Sequence, residues 1–224
     1  MIYSLFFNFK EFLFNFYFFR NKILYKLKRY SKLNAFNKIN LTNKSIFIDM
    51  GGNNGVVSQY IYDKYKCFIY IYEPHKKCFE ILKKKFFNNK KIKIFNCAVS
   101  NSSGYKKFYF HSYAKSNDYY NLSLSESSSL EKNKKNISIN KFELVKCLDI
   151  KNILKNFNYI DIIKIDIEGH EYKILPIIFK NIKNIKKIFI EFHGRDGPVN
   201  LKKNYNYWTK KINNSHYKNK FMDW

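Results

Sequence analysis

The chain has 224 residues, enough for one domain with extensions, and its composition is 46% hydrophobic and 20% aromatic, which excludes disorder of the whole. Its net charge of +25 invites a nucleic-acid reading. That reading is weakened because only Arg20, Arg29 and Arg195 are arginine, the cation that nucleic-acid sites favour. Asn, Ile, Phe, Tyr and Lys are in excess while Gly, Ala, Pro and Arg are depleted, the pattern of an A/T-rich coding bias that raises charge without a binding role. Nucleic acid is therefore not the expected partner. Cys67, Cys78, Cys97 and Cys147 form no CxxC pair and accompany no histidine cluster, so neither a zinc site nor a disulfide framework is expected. A reducing, cytoplasmic setting is the corresponding expectation.

Residues 1–19 are almost solidly apolar and lead into Arg20, Lys22, Lys26, Lys28 and Arg29. Lys10 and Glu11 interrupt the run where a bilayer centre would be, which argues against a span. Ile2, Leu5, Phe6, Phe9, Phe12, Leu13 and Phe16 recur at helical spacing. Two readings stay open for residues 1–30: a helix that packs on the catalytic domain or a second subunit, and an interfacial anchor whose lysines face anionic lipid at the inner side of a membrane.

From Ser45 the chain alternates strands and helices. Strands are expected at Ser45–Met50, Cys67–Tyr72 and Lys91–Val99, with helices at Val56–Lys66 and Pro74–Asn88 between them. This rhythm predicts a parallel sheet with right-handed crossovers. Gly104 and the residues after it, and Ile137–Cys147, alternate in polarity around a polar, serine-rich stretch at Asn121–Ser129, which reads as a β-hairpin-like insertion. A short helix from Asp149 follows. Ile160–Ile165 and Lys187–Phe192 are two further strands, joined by a helix from about His170 to Lys180. His170 is expected on the surface of its first turn. Beyond His193 a helix over Tyr205–Ile212 is expected and two further good strands are not, so the C-terminal end reads as shortened. The expected division is residues 1–43 as an aromatic and basic helical extension, 44–198 as the catalytic domain and 199–224 as a divergent or shortened tail.

The stretch Asp49-Met50-Gly51-Gly52-Asn53-Asn54-Gly55 closes the first strand and opens a helix. Its glycines let backbone amides approach a nucleotide-like ligand. Glu73, ending the second strand before Pro74, suits the two ribose hydroxyls of an adenosine cofactor. Asp49 within the loop would repel a pyrophosphate, whereas it suits the cationic amino acid part of S-adenosylmethionine. No GK[ST] follows, so the loop is not a Walker loop.

The segments IFIDMGGNNG, IYEPHKKCFEIL, NCAVSNSSG, IDIIKIDIEGHEYKIL and IFIEFHG together resemble the FkbM family of S-adenosylmethionine-dependent methyltransferases over about residues 44–195. The resemblance implies a Rossmann-like class I methyltransferase fold, an α/β architecture with a mostly parallel sheet and helices on both faces. It further implies that Asp49, Gly51, Asn53 and Gly55 hold the amino acid part of S-adenosyl-L-methionine and that Glu73 binds the ribose. Ala98, at the end of the third strand, would line the adenine pocket, and Asp166 would stand closest to the reacting centre.

For chemistry, Asp166, Glu168 and His193 are the candidates, since an alcohol acceptor needs a base and an aligned approach. Each has a plainer role beside it: Asp166 as a cofactor ligand, Glu168 as a helix cap, His193 as an ordinary buried histidine. A magnesium variant on Asp166, Glu191 and Asp196 is less favoured, and no metal is assigned. The leading expectation is an O-methyltransferase acting on a hydroxyl of a small molecule or sugar, within surface-glycan synthesis by family analogy. The alternatives are an RNA methyltransferase using the basic surface and an inactive cofactor-binding scaffold. The acceptor and the oligomeric state are not legible in these residues.

Overall fold

A computed structural model describes residues 33–112, 128–135, 137–195 and 198–223. The expectations for residues 1–30, for Asn121–Ser127 and for Asp196 lie outside them. The chain divides into two compact units, residues 1–40 with 118–120, and residues 41–117 with 121–224. In the first, the described residues contribute a 3-10 turn, Ala35–Lys38. The second holds everything that follows.

Its centre is a sheet of β1 (Ile46–Met50), β2 (Phe68–Tyr72), β3 (Ile92–Phe95), β7 (Ile160–Ile165), β8 (Ile185–Ile190) and β9 (Phe221–Asp223). The order is β3-β2-β1-β7-β8-β9 and every pairing is parallel. Strands buried on both faces read as continuous apolar runs, which is why IDIIKI and IKKIFI carry so many isoleucines. Helices α1 (Val56–Tyr65), α2 (Lys76–Lys85), α4 (Glu171–Lys180) and α5 (Val199–Asn213) supply the crossovers. The order reverses between β1 and β7, and that switch point opens a crevice beyond the carboxyl ends of the strands. This is the Rossmann-like α/β architecture, a parallel sheet with crossover helices, expected from the sequence.

The expected third strand is divided. After Phe95 the chain turns at Asn96 and Cys97, and Ala98–Ser100 becomes β4 of a second sheet. Asn96 fixes the break, since its side-chain amide donates to the carbonyls of Glu73 and Pro74, each at 3.0 Å. Ala98 therefore opens a new strand rather than ending the third. In the second sheet, ordered β4-β6-β5, the strand β6 (Ile137–Asp149) pairs antiparallel with β5 (Gly104–His111) and parallel with β4. The hairpin-like insertion is thus a small sheet of its own. Asp149 then caps the short helix α3 (Ile150–Leu154) by accepting from the Lys151 amide.

At the C-terminal end α5 is longer than expected and a single three-residue strand, β9, closes the sheet in parallel. The ring of Trp208 on α5 packs on Phe179 of α4, with centroids 5.4 Å apart, and joins the core of Ile174, Ile178, Ile188 and Ile190. Cys67, Cys78, Cys97 and Cys147 are free and buried. No helix among the described residues is long and apolar enough to cross a membrane. Because Trp208 is 5% exposed and carries the contact between α5 and α4, Trp208→Ala should lower stability by about 3–5 kcal/mol, read from urea denaturation.

Candidate active site

Backbone hydrogen bonds continue the parallel ladder past the strand ends and set four loops side by side. The amides of Gly51 and Gly52 donate to the Tyr72 carbonyl, Glu73 to Phe95, Asp166 to Met50 and Glu191 to Ile165, at 2.9–3.2 Å. The candidate residues of four separate segments are therefore held in one row by the sheet itself. Ala98 belongs to the second sheet, in a buried cluster with Phe108, Val145 and Cys147 against which Phe110 and Leu130 pack.

The glycine loop needs its glycines. Gly51 has φ +80°, and a Cβ there would lie 1.9 Å from the Asp166 carbonyl oxygen. The loop after β1 and the loop after β7 could not lie so close with any side chain between them. Asn53 also takes a left-handed conformation, φ 47°, which asparagine tolerates.

Asp49 is fully buried beneath this loop. Ser58 donates to its Oδ2 at 2.7 Å, and the ammonium of Lys164 lies 3.0 Å from its Oδ1. Lys164 also donates to the Gly51 carbonyl at 2.7 Å and stands 3.6 Å from Asp166 Oδ2. Burial alone would drive the Lys164 proton off, but the charges of Asp49 and Asp166 outweigh it and hold the amine protonated above its ordinary value. The Asp49 carboxylate is thus spent on Lys164 and Ser58, with no surface left for a ligand's ammonium group. Lys164 escaped the sequence reading. The signal was present: a lone lysine inside IDIIKI must find a counter-charge, and Asp49 is its partner in register on β1.

Glu73 is 5% exposed and both its oxygens are engaged by backbone amides, Oε2 by Asn53 and Oε1 by His75, each at 2.7 Å. Burial pushes its carboxyl up to about 7, against those two hydrogen bonds. A carboxylate has about four lone-pair sites, so two remain for a further pair of donors.

On the other side of the switch point, Asp166, Glu168 and His193 come together. His193 Nε2 lies 3.2 Å from Glu168 Oε2 and 4.0 Å from Asp166 Oδ1, and Lys134 also pairs with Glu168. Burial opposes charge on His193, but the Glu171 carboxylate 3.5 Å from Nδ1, together with those of Glu168 and Asp166, prevails and raises it to about 9. At neutral pH it is an imidazolium with no lone pair to offer. Burial raises the Glu168 carboxyl above the carboxylate range, against the pull of His193 and Lys134. Glu168 sits at φ 56°, a left-handed conformation that costs a non-glycine residue about 1–3 kcal/mol and is kept only where neighbours over-determine it.

Glu171, fully buried, was not expected in the site. Its Oε2 accepts from the Gly169 amide and its Oε1 from the His193 amide, both at 2.8 Å, so one carboxylate ties the loop after β7 to the loop after β8. Its first-turn place in α4 also suits the positive helix end. His170, expected on the surface, is 5% exposed instead, because its ring is bonded on both nitrogens.

Asp166, Glu191 and His193 each offer one ligand atom within 4.8 Å of the others. The Lys164 ammonium, 3.6 Å from Asp166 Oδ2, already meets part of that cluster's negative charge within the chain.

Residues 49–215 match the family described as Methyltransferase FkbM domain. No curated protein matches the chain. Among solved structures, the crystal structure of mycolic acid cyclopropane synthase CmaA1 in its apo form aligns at 15% identity over 30% of this chain and 27% of that one, with a TM-score of 0.28.

Replacing Lys164 by methionine leaves Asp49 buried beside an apolar chain. The Lys164→Met variant should lose about 3–5 kcal/mol of stability by chemical denaturation, and the double change Lys164→Met with Asp49→Asn should recover part of it.

Proposed function

The chain belongs to the FkbM methyltransferase family, and on that premise we propose that it is an S-adenosylmethionine-dependent O-methyltransferase acting on a hydroxyl of a small molecule or a sugar. The observation that carries the cofactor half of this reading is Glu73: a buried carboxylate at the end of β2, beside a glycine loop at the switch point, with two lone-pair sites left for a pair of hydroxyl donors.

The site's residues fit that cofactor. Glu73 would accept from the two ribose hydroxyls, and the backbone of Gly51, Asn53 and Gly55 would border the amino acid part. Asp49 acts from beneath, through Lys164, to hold the Gly51 carbonyl in place. Ala98, with Phe110 and Leu130 against its cluster, would wall the adenine side. When bound, S-adenosylmethionine supplies an electrophilic methyl group, so the protein's tasks are to align the acceptor and take its proton.

Glu168 is the residue we assign to that proton. Its raised carboxyl binds a proton more readily than an ordinary glutamate does. His193 serves as the cation that holds Glu168 and Asp166, not as the base. Magnesium has no assigned place, and activity should be unchanged by EDTA; a loss restored by magnesium would move the reaction onto Asp166, Glu191 and His193. The surface-glycan setting and a membrane contact through residues 1–30 remain proposals that rest on family analogy and on the basic, aromatic N-terminal sequence.

Calorimetry with S-adenosylmethionine tests the reading. Wild type should bind, and Glu73→Ala should bind about 100-fold more weakly, the worth of two hydrogen bonds to a carboxylate. No binding by wild type would sink the assignment. Titration adds a sign. Free Glu73 titrates at about 7 and must be ionised to accept both hydroxyls, so the cofactor binds as a proton leaves. Affinity should be fully developed above pH 7 and fall progressively below it, and Glu73→Ala should flatten that dependence. Tritium carried from the methyl donor into sugar hydroxyls would support the acceptor class, whereas incorporation into RNA would overturn it.

A further inference from the structure

A buried polar network beside the site is left unused by the chemistry above. Ser100, at the end of β4, is fully buried, and its Oγ lies 2.9 Å from His170 Nε2. His170 Nδ1 lies 2.7 Å from Glu131 Oε1. Lys106 Nζ donates to the same Ser100 oxygen at 2.7 Å. An ammonium only donates, so Ser100 accepts from Lys106, and its own proton faces two acceptors, His170 Nε2 at 2.9 Å and Asn101 Oδ1 at 3.2 Å. With Nε2 facing Ser100 and Nδ1 facing Glu131, both ring nitrogens of His170 have a partner.

The connectivity of serine, histidine and carboxylate matches that of a hydrolase relay. Here it cannot serve as one, because no substrate reaches a serine oxygen without exposed surface and with an ammonium already on it. What the network does hold is the turn carrying Glu168. Ser129 Oγ donates to the Glu168 carbonyl at 2.6 Å and accepts from the Glu131 amide at 2.9 Å. Between them Leu130 packs on the cluster of Ala98, Phe108, Val145 and Cys147. Three consecutive residues, Ser129-Leu130-Glu131, are thus pinned to the Glu168 carbonyl, to the wall beside Ala98 and to the ring of His170. Gly169, between Glu168 and His170, is held by Glu171.

We propose that Ser129, Glu131 and His170 are positioning residues for the reaction: together they latch the left-handed turn at Glu168 so that its carboxyl faces the acceptor. The catalytic importance of that latch rests on the assignment of Glu168 as the acceptor's base. The latch itself is a statement about where the Glu168 carboxyl sits, and it can be read with no acceptor in hand.

The test uses the full chain labelled with carbon-13 at glutamate carboxyls, the Glu168 signal being identified by its loss in Glu168→Gln. In His170→Ala and in Ser129→Ala that signal should move toward the position of exposed glutamates. In His170→Gln it should stay, because an amide side chain carries one donor and one acceptor in place of the ring's. With S-adenosylhomocysteine as the calorimetric probe, His170→Ala should bind within about threefold of wild type, since the latch acts on the acceptor side. A Glu168 signal unmoved in folded Ser129→Ala and His170→Ala overturns the proposal. So does a shift in His170→Gln as large as in His170→Ala, or a tenfold loss of S-adenosylhomocysteine affinity. If His170→Ala does not fold, Ser129→Ala and His170→Gln decide the matter. Failure of wild type to bind S-adenosylmethionine would instead sink the functional reading and leave the carboxyl signal to report on the latch alone.

Discussion

The Lys164–Asp49 ion pair is the interaction on which the site depends. It joins β1 to β7 at the one place in the sheet where the strand order reverses. A buried pair of this kind contributes little net stability compared with an apolar pair of equal volume, but breaking one half of it is costly. It therefore acts as a specification. With Asp49 beneath the glycine loop and Lys164 holding the Gly51 carbonyl, the loop has one low-energy position. Gly51 completes the constraint, since the Asp166 carbonyl occupies the space any larger residue would need.

From that fixed point the two halves of the crevice acquire different electrostatic characters. On the β2 side, Glu73 is buried among backbone amides and left with lone pairs to spare, which suits hydroxyl donors. On the β8 side, carboxylates and cations alternate: Asp166, Glu168 and Glu171 against His193, Lys134 and Lys164. The surrounding carboxylates hold His193 charged, whereas burial makes Glu168 keep its proton more readily than usual, against the pull of His193 and Lys134. A histidine that looks like a base in the sequence is therefore better described as a counter-ion.

The second sheet gives this arrangement its cover. By leaving the central sheet at Asn96, the chain places Ala98–Ser100 alongside β6, and the residues after the serine-rich stretch then reach the Glu168 turn through Ser129 and Glu131. A positive φ at a glutamate is stable only when several contacts agree on it, and four do here: Ser129 on the carbonyl, Lys134 and His193 on the carboxyl, Glu171 on the next amide.

The sequence by itself determined the alternation of strands and helices, the parallel sheet, the glycine loop and the acids at strand ends, because these follow from local periodicity and from residues with few conformational uses. Asp49, Glu73, Asp166, Glu168 and His193 all fall where strand ends place them. Only the tertiary structure decided what those groups are bonded to. Asp49 was legible as an acid near a ligand loop, yet its charge is taken by Lys164, a partner more than a hundred residues away. Glu171 and His170 lie next to the expected residues, but their burial depends on segments that meet them from β4, from the serine-rich insertion and from β8. The physical reason is range: periodicity reports which face of an element is apolar, whereas a buried charge or a pinned turn is set by groups distant in the chain, and no local pattern encodes their approach.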